Sequence, residues 1–188
     1  MSTRKLRHLW LAVSPVCLIA CASSPLELEM SYNTGTVDQS FRQSSRVCVI
    51  RINHINDVRS NKLSLGSVGS SPVYGKDAIN WIRRGMDDLN PLGYRTVTDR
   101  SALDHAVDLE VYLKRLYIRS VHSTIESVVQ LDIRYLTRNG QSVERNYRGS
   151  HVKINWSSSN SDVMSSFNNS MSQVVHDIAK DLVSLCDV

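Results

Sequence analysis

Thr124-Ile125-Glu126-Ser127-Val128-Val129-Gln130-Leu131-Asp132-Ile133-Arg134-Tyr135-Leu136 is the stretch that decides the fold. Apolar Ile125, Val129, Leu131, Ile133 and Tyr135 alternate with polar Glu126, Gln130, Asp132 and Arg134. A period of two places one set on each side of a β-strand, one side for a core and one for water. Asn139-Gly140 follows. The pair suits a tight hairpin, whose two central residues need positive φ. The chain should then return over Ser142–Asn155, with Val143, Tyr147, Val152 and Ile154 inward and a bulge at Gly149. Upstream, Leu109–Val121 reads as the third long strand. Leu109, Val111 and Leu113 share one parity and Leu116 and Ile118 the other, so a bulge near Lys114-Arg115 would keep all five on the core side. Half-polar strands make a sheet with one wet face, carrying Glu126, Asp132 and Glu144, and one face for helices.

The elements around this meander follow from the same reasoning. Arg46–Asn53 holds Val47, Cys48, Val49, Ile50 and Ile52, a β-branched run dense enough for a central strand. His54–Gly75 reads as a long loop, with Val68–Tyr74 able to add a short edge strand. Lys76–Asn90 reads as a helix whose stripe is Ile79, Ile82, Met86 and Leu89, with Arg83, Arg84, Asp87 and Asp88 opposite. Asn90-Pro91-Leu92-Gly93 ends it. Tyr94–Thr98 is a short strand, and Asp99–Asp108 a polar connection with a helical turn at Ser101–His105. After a turn at Trp156–Asn160, Ser161 caps a last helix over Asp162–Cys186. Its apolar stripe includes Val163, Phe167, Met171, Val174, Val175, Ile178 and Leu182. The expected fold is α+β: one domain with a mixed or antiparallel sheet of about five strands and two helices, in the order βαβ-βββ-α.

The N-terminus carries a different message. Met1–His8 is basic through Arg4, Lys5 and Arg7 and has no acid. Leu9–Ile19 is almost wholly apolar and Ala20 is small, which together make an export signal. The run is too short to span a bilayer, which takes about 20 residues. Leu18-Ile19-Ala20-Cys21 resembles the lipobox of bacterial lipoproteins. That resemblance implies a signal peptide over 1–20, lipidation of Cys21 and a flexible tether over 21–45 ahead of a periplasmic domain over 46–188. Ala22 replaces the aspartate that retains such proteins at the inner membrane, so the implied location is the outer membrane, lipid-anchored and facing the periplasm.

Charge excludes one class of partner. The chain has 22 Lys+Arg and 18 Asp+Glu, and losing Arg4, Lys5 and Arg7 leaves 19 against 18. The near-neutral body lacks the basic footprint of a nucleic-acid binder. Of four cysteines, Cys17 leaves with the signal and Cys21 takes lipid. Cys48 and Cys186 remain, in a compartment where disulfides persist. Spacing leaves two readings open: a bridge, or two separate buried thiols.

Chemistry is sparse. Gly69-Ser70-Ser71-Pro72-Val73-Tyr74-Gly75-Lys76 resembles a phosphate loop but has five residues between its glycines, Asp77 in place of the hydroxyl and a proline that removes an amide. His54, His105, His122, His151 and His176 show no metal-ligand spacing, and there is no Gly-x-Ser-x-Gly elbow. No catalytic residue, metal ligand or cofactor is expected. Trp81, off the helical stripe, reads either as a partner anchor or as packing at the core's edge.

The order of short motifs carries a family resemblance. After the lipobox come Asp57-Val58-Arg59, Leu65-Gly66, a helix ending in Leu89 to Tyr94, an Asp108 to Val111 strand, a long hairpin and Asn146-Tyr147-Arg148-Gly149. This is similar to the YajG family of uncharacterised outer-membrane lipoproteins, and more widely to auxiliary lipoproteins of envelope transport systems. The resemblance implies a non-catalytic binding or scaffold module that contributes to envelope maintenance, transport or assembly by docking to an envelope protein. Homo-oligomers are compatible with it. Loop 57–75, with Asp57, Arg59, Leu65 and Gly66, and Trp81 are the expected contacts. A second expectation is a carrier of an apolar or lipid ligand between sheet and helices.

Overall fold

The computed structural model describes residues 24–33, 48–97, 106–137, 139–154 and 159–186. The signal, Cys21, the remainder of the tether, the helical turn at Ser101–His105 and most of the turn after Ile154 lie outside these residues. The fold is α+β, two helices packed on one large open mixed sheet, and the sheet has eight strands rather than five.

The strands are β1 (Leu26–Glu29), β2 (Cys48–Asp57), β3 (Ser64–Val68), β4 (Ser71–Lys76), β5 (Tyr94–Val97), β6 (Val107–Val121), β7 (Thr124–Leu136) and β8 (Ser142–Ile154). The helices are α1 (Ala78–Met86), continued by a 3-10 turn over Asp87–Leu89, and α2 (Asn160–Cys186). β6, β7 and β8 form the antiparallel meander read from the sequence. The other edge of β6 is shared: β2 pairs parallel with its first half and β3 with Ile118 in its second. β5 lies beyond β2, and β4 and β1 beyond β3, so the sheet forks along β6.

The three additional strands come from segments read as tether or long loop, of which only Val68–Tyr74, overlapping β4, was expected to add a short edge strand. Loop 57–75 is a hairpin of β3 and β4, and the phosphate-loop look-alike is its tip and second strand. β1 pairs parallel with β4, and Leu28, Met30 and Tyr32 are buried in the core. The stretch 24–33 is therefore a folded part of the domain, not tether. Period-two reasoning needs more residues than strands of four to six offer, which is why β1 and β3 escaped it and β4 was only partly placed.

The bulge expected near Lys114-Arg115 is present, as a register shift between Leu113 and Arg115. Leu109, Val111, Leu113, Leu116 and Ile118 are all buried. No bulge occurs at Gly149, because β8 keeps step with β7 from Ser142 to Ile154. Val152 and Ile154 consequently point outward, 61% and 53% exposed, while Tyr147 is buried. The glycine serves a close approach: a Cβ on Gly149 would lie 1.9 Å from the Ser170 carbonyl oxygen of α2. The β7–β8 turn is also longer than two residues. Leu136 and Ser142 are its last pair, Thr137 N–H donates to Gln141 O at 2.9 Å, and Gly140 but not Asn139 has positive φ.

Of the stripe expected on the first helix, Ile82, Met86 and Leu89 are fully buried, but the buried face is turned toward Trp81 and away from Ile79. Ala78, Trp81, Ile82, Gly85 and Met86 face the core, and Ile79 is 37% exposed. That spacing is equally helical, and it places the largest side chain innermost. Trp81 is fully buried, edge-on to Tyr32 and Phe167, with its indole N–H donating to Asn168 Oδ1 at 2.8 Å. Asp88, expected on the polar side, is buried and accepts a 2.8 Å hydrogen bond from the Tyr32 hydroxyl. α2 lies along β7 and β8, with Val163, Phe167, Met171, Val174, Val175, Ile178 and Leu182 fully buried.

Candidate functional site on the open face of the sheet

Both helices pack on the inner face of the sheet.

Asp57 and Arg59 form an ion pair across the break between β2 and β3, with side chains only 7% and 6% exposed. Arg59 Nε and Nη2 donate to Asp57 Oδ1 and Oδ2 at 2.9 and 2.7 Å, and Nη2 also donates to Lys62 O at 2.7 Å. Burial alone would push the Asp57 carboxyl up. Hydrogen bonds from the Arg59 side chain and backbone, with the charges of Arg59 and Lys62, outweigh it and hold Asp57 below its ordinary value. Leu65 is fully buried. Gly66 is placed where a Cβ would lie 2.1 Å from the Ile118 carbonyl oxygen. Asp57, Arg59, Leu65 and Trp81 thus have little or no surface of their own, Asp57 and Arg59 fastening the fork and Trp81 packing against Tyr32 and Phe167, while Gly66 is exposed.

Cys48 and Cys186 are joined by a disulfide, with Cα atoms 5.9 Å apart. It ties the start of β2 to the end of α2. Cys21 lies outside the described residues.

A serine cluster is the nearest thing to a nucleophilic constellation. Ser127 Oγ lies 2.8 Å from Ser166 Oγ and 2.7 Å from Ser170 Oγ, and His151 Nδ1 lies 3.3 Å from Ser166 Oγ. All three serines are fully buried between β7 and α2. A hydroxyl with no path to solvent meets no substrate, and these satisfy one another where the helix comes closest to the sheet. A second chain runs from the buried Tyr135 OH to Tyr147 OH at 2.8 Å and out to the half-exposed Asp181, whose Oδ2 accepts from Tyr147 at 2.8 Å. Burial, and for Tyr147 the adjacent Asp181 carboxylate, push both phenols up, so they stay protonated. Among the described residues no group of three or more His, Cys, Asp or Glu could hold a metal ion.

Among the described residues, an accessible array of polar side chains lies on the outer face. Across β6, β7 and β8 the register stacks polar side chains in rows. Glu110, Arg134 and Glu144 form one, with Arg134 3.4 Å from Glu110 and 2.9 Å from Glu144. Tyr112, Asp132 and Asn146 form the next; Asn146 donates to Asp132, and Lys114 lies 3.4 Å from Asp132. A shallow cavity of about 450 Å³ lies over these rows, lined by Tyr112, Lys114, Asp132, Arg134, Glu144 and Asn146 among others. Further along, Arg119 pairs with Glu126 at 2.5 Å, and Val121, Val152 and Ile154 stand exposed. A hydrogen bond and the adjacent charge from Glu144 raise the Arg134 guanidinium, and Glu126 does the same for Arg119. The alternating pattern predicted a wet face, but neither its ion-pair rows nor its cavity could be read without the register.

No family model matches the sequence, and no curated protein matches it either. Solved structures do resemble it. A DUF330 protein from Xanthomonas campestris has a TM-score of 0.56 at 10% identity, over 86% of this chain and 96% of that one. A minor lipoprotein from Acinetobacter baumannii has a TM-score of 0.42 at 9% identity, over 69% of this chain and 91% of that one. Lipoprotein GNA1162 from Neisseria meningitidis has a TM-score of 0.36 at 10% identity, over 73% of this chain and 99% of that one. The first shares the fold, and at that identity the likeness shows the fold alone. The other two fall below the level at which a likeness carries an argument.

Proposed function

We propose that this chain is a lipid-anchored lipoprotein of the outer membrane, facing the periplasm, whose α+β body is a non-catalytic binding or auxiliary module of the cell envelope. The observation that carries the reading is the N-terminal stretch itself: a basic start, an apolar run and Leu18-Ile19-Ala20-Cys21. The disulfide between Cys48 and Cys186 fits an oxidising compartment. The open outer face, with its cavity and exposed Val121, Val152 and Ile154, is the surface through which such a module would meet a partner in the envelope. The ligand-carrier reading has less to support it, since Trp81, Phe167, Met171 and Ile178 fill the layer between sheet and helices.

The test is metabolic labelling with an alkyne palmitate analogue, followed by membrane fractionation of wild type and Cys21→Ser. Label on the wild type alone, with sedimentation in the outer-membrane fraction, is the expected result. Equal labelling of both, or an unlabelled wild type, would overturn the anchor. Photo-crosslinking from Arg134 and Asn146 on the outer face then seeks the partner, which should be an envelope protein.

A further inference from the structure

The three strands of the meander carry seven cationic side chains, and five of them have an acid within ion-pair distance. Lys114 meets Asp132, Arg119 meets Glu126 and Arg134 meets Glu144 on the outer face, while Arg145 meets Asp181 and Lys153 meets Asp162 toward α2. Among the described residues Arg115 and Arg148 have no such acid. These two are not scattered. Arg115 pairs with Gln130 and Gln130 with Arg148, so they occupy one cross-strand row with the half-buried Gln130 between them. Both arginines are exposed on the outer face. Two strand spacings put their Cα atoms about 10 Å apart, within reach of two arginine side chains converging over the middle strand. The register shift adds Lys114 beside Arg115 on the same face.

Like charges in one row repel unless something neutralises them. The row on one side, Tyr112–Asp132–Asn146, balances its acid with Lys114, the row on the other, Tyr117–Val128–Ser150, carries no charge, and this one has two guanidinium forks and one side-chain amide but no acid. We propose that Arg115, Gln130 and Arg148 form a binding site for a phosphate group of a mono- or diester. A phosphate presents several equivalent oxygens in a tetrahedral array, enough to accept from both forks and the amide together. A carboxylate has two oxygens, which a single fork already occupies. The site goes beyond the anchored-module reading and does not depend on it: its failure would leave lipidation at Cys21 untouched.

The test is calorimetric titration of the full-length protein in dodecyl maltoside with three probes: inorganic phosphate, dihexanoyl-phosphatidylglycerol and a hexaglutamate peptide. Wild type should bind at least one phosphate probe, weakening with salt. Arg115→Gln/Arg148→Gln should lower that affinity at least tenfold, with an unchanged far-ultraviolet spectrum. Arg119→Gln, whose guanidinium is committed to Glu126, should bind as wild type. Binding of the phospholipid without free phosphate would identify a lipid headgroup as the source, and comparable binding of both a soluble phosphate ester. Absence of binding by either phosphate probe, a double variant that binds like wild type, or hexaglutamate binding as tightly as phosphate would overturn the proposal. The last would reassign the row to an acidic protein partner.

Discussion

Gly149→Ala adds one methyl group and tests whether close contact between β8 and α2 holds the layers together. The new Cβ would sit 1.9 Å from the Ser170 carbonyl oxygen and 3.0 Å from Val174 Cγ2. Side-chain motion cannot relieve a clash with backbone, so the helix must recede locally by at least about 1 Å. That would stretch the 2.7 and 2.8 Å bonds from Ser127 to Ser170 and Ser166 beyond hydrogen-bonding range. Overpacking costs about 1–3 kcal/mol. Leaving Ser127 Oγ short of its partners on the helix costs about 1–3 kcal/mol more, while Ser170 Oγ keeps its bond to Ser166 O within the helix. The sum is about 3–5 kcal/mol once partial relaxation is allowed, a large share of a typical domain's stability. For a domain of this size that is a fall in Tm of roughly 6–20 °C. Ser127→Ala is the comparator. It removes the hub hydroxyl without a clash, and Ser170 Oγ keeps its bonds to Ser127 O and Ser166 O at 3.2 Å each. Its cost should be about 1 kcal/mol. Thermal unfolding of the three proteins, followed by circular dichroism in one detergent buffer, decides. A Gly149→Ala midpoint within about 2 °C of wild type, or a fall no larger than that of Ser127→Ala, would refute the reasoning.

Three further outcomes follow from the internal fastenings. The Cys48–Cys186 bridge spans a sequence separation of 138, so the chain-entropy model gives about 5 kcal/mol; the denaturant midpoint should drop sharply for Cys48→Ala/Cys186→Ala, and an unmoved midpoint would show the bridge does not constrain the unfolded chain. Asp57→Asn strands the buried Arg59 charge, at a cost of about 3–5 kcal/mol near neutral pH. Because the folded Asp57 carboxyl titrates below its unfolded value, its contribution is complete above about pH 4 and is lost as pH falls through the lower, folded value. The gap between wild type and Asp57→Asn in urea titrations should therefore close in acid, and a gap constant from pH 7 to pH 2 would contradict the pairing. Trp81→Phe keeps an aromatic ring but removes the donor to Asn168, at about 1–3 kcal/mol, whereas Trp81→Ala should cost about 3–5 kcal/mol. If either variant were as stable as wild type, Trp81 would not be a core anchor.

What the sequence made legible followed the length of each element. β6, β7 and β8 run for 15, 13 and 13 residues, long enough for a period of two to show which side is buried. β1, β3 and β4 have four to six residues each, and their partners are set by the fork along β6, which no local pattern encodes. α1 was legible as a helix and in most of its stripe, since Ile82, Met86 and Leu89 are buried, but not in the edge that buries Trp81 and exposes Ile79. Both the Ile79 stripe and the Trp81 stripe satisfy a 3.6 period, and tertiary packing chose the one that buries the indole. Asp57 and Arg59 drew notice as an Asp-x-Arg motif, but two residues in sequence do not reveal that the pair closes on itself in the break between two strands.

The phosphate site shows the same limit more sharply, because it depends on one register shift. Without the bulge, Lys114 would oppose Gln130, and Arg115 would oppose Val129 and turn into the core. With it, Leu113 opposes Leu131 and Arg115 opposes Gln130, so Lys114 and Arg115 both stay outside while Leu116 resumes the inner face. The bulge was legible for an apolar reason, since Leu116 and Ile118 had to return to the core. The cationic row opposite Arg148 follows from the same shift, but seeing it required β8 to keep step with β7 through Gly149. A bulge in β6 and the lack of one in β8 therefore set both the packing of the core and the chemistry of the open face.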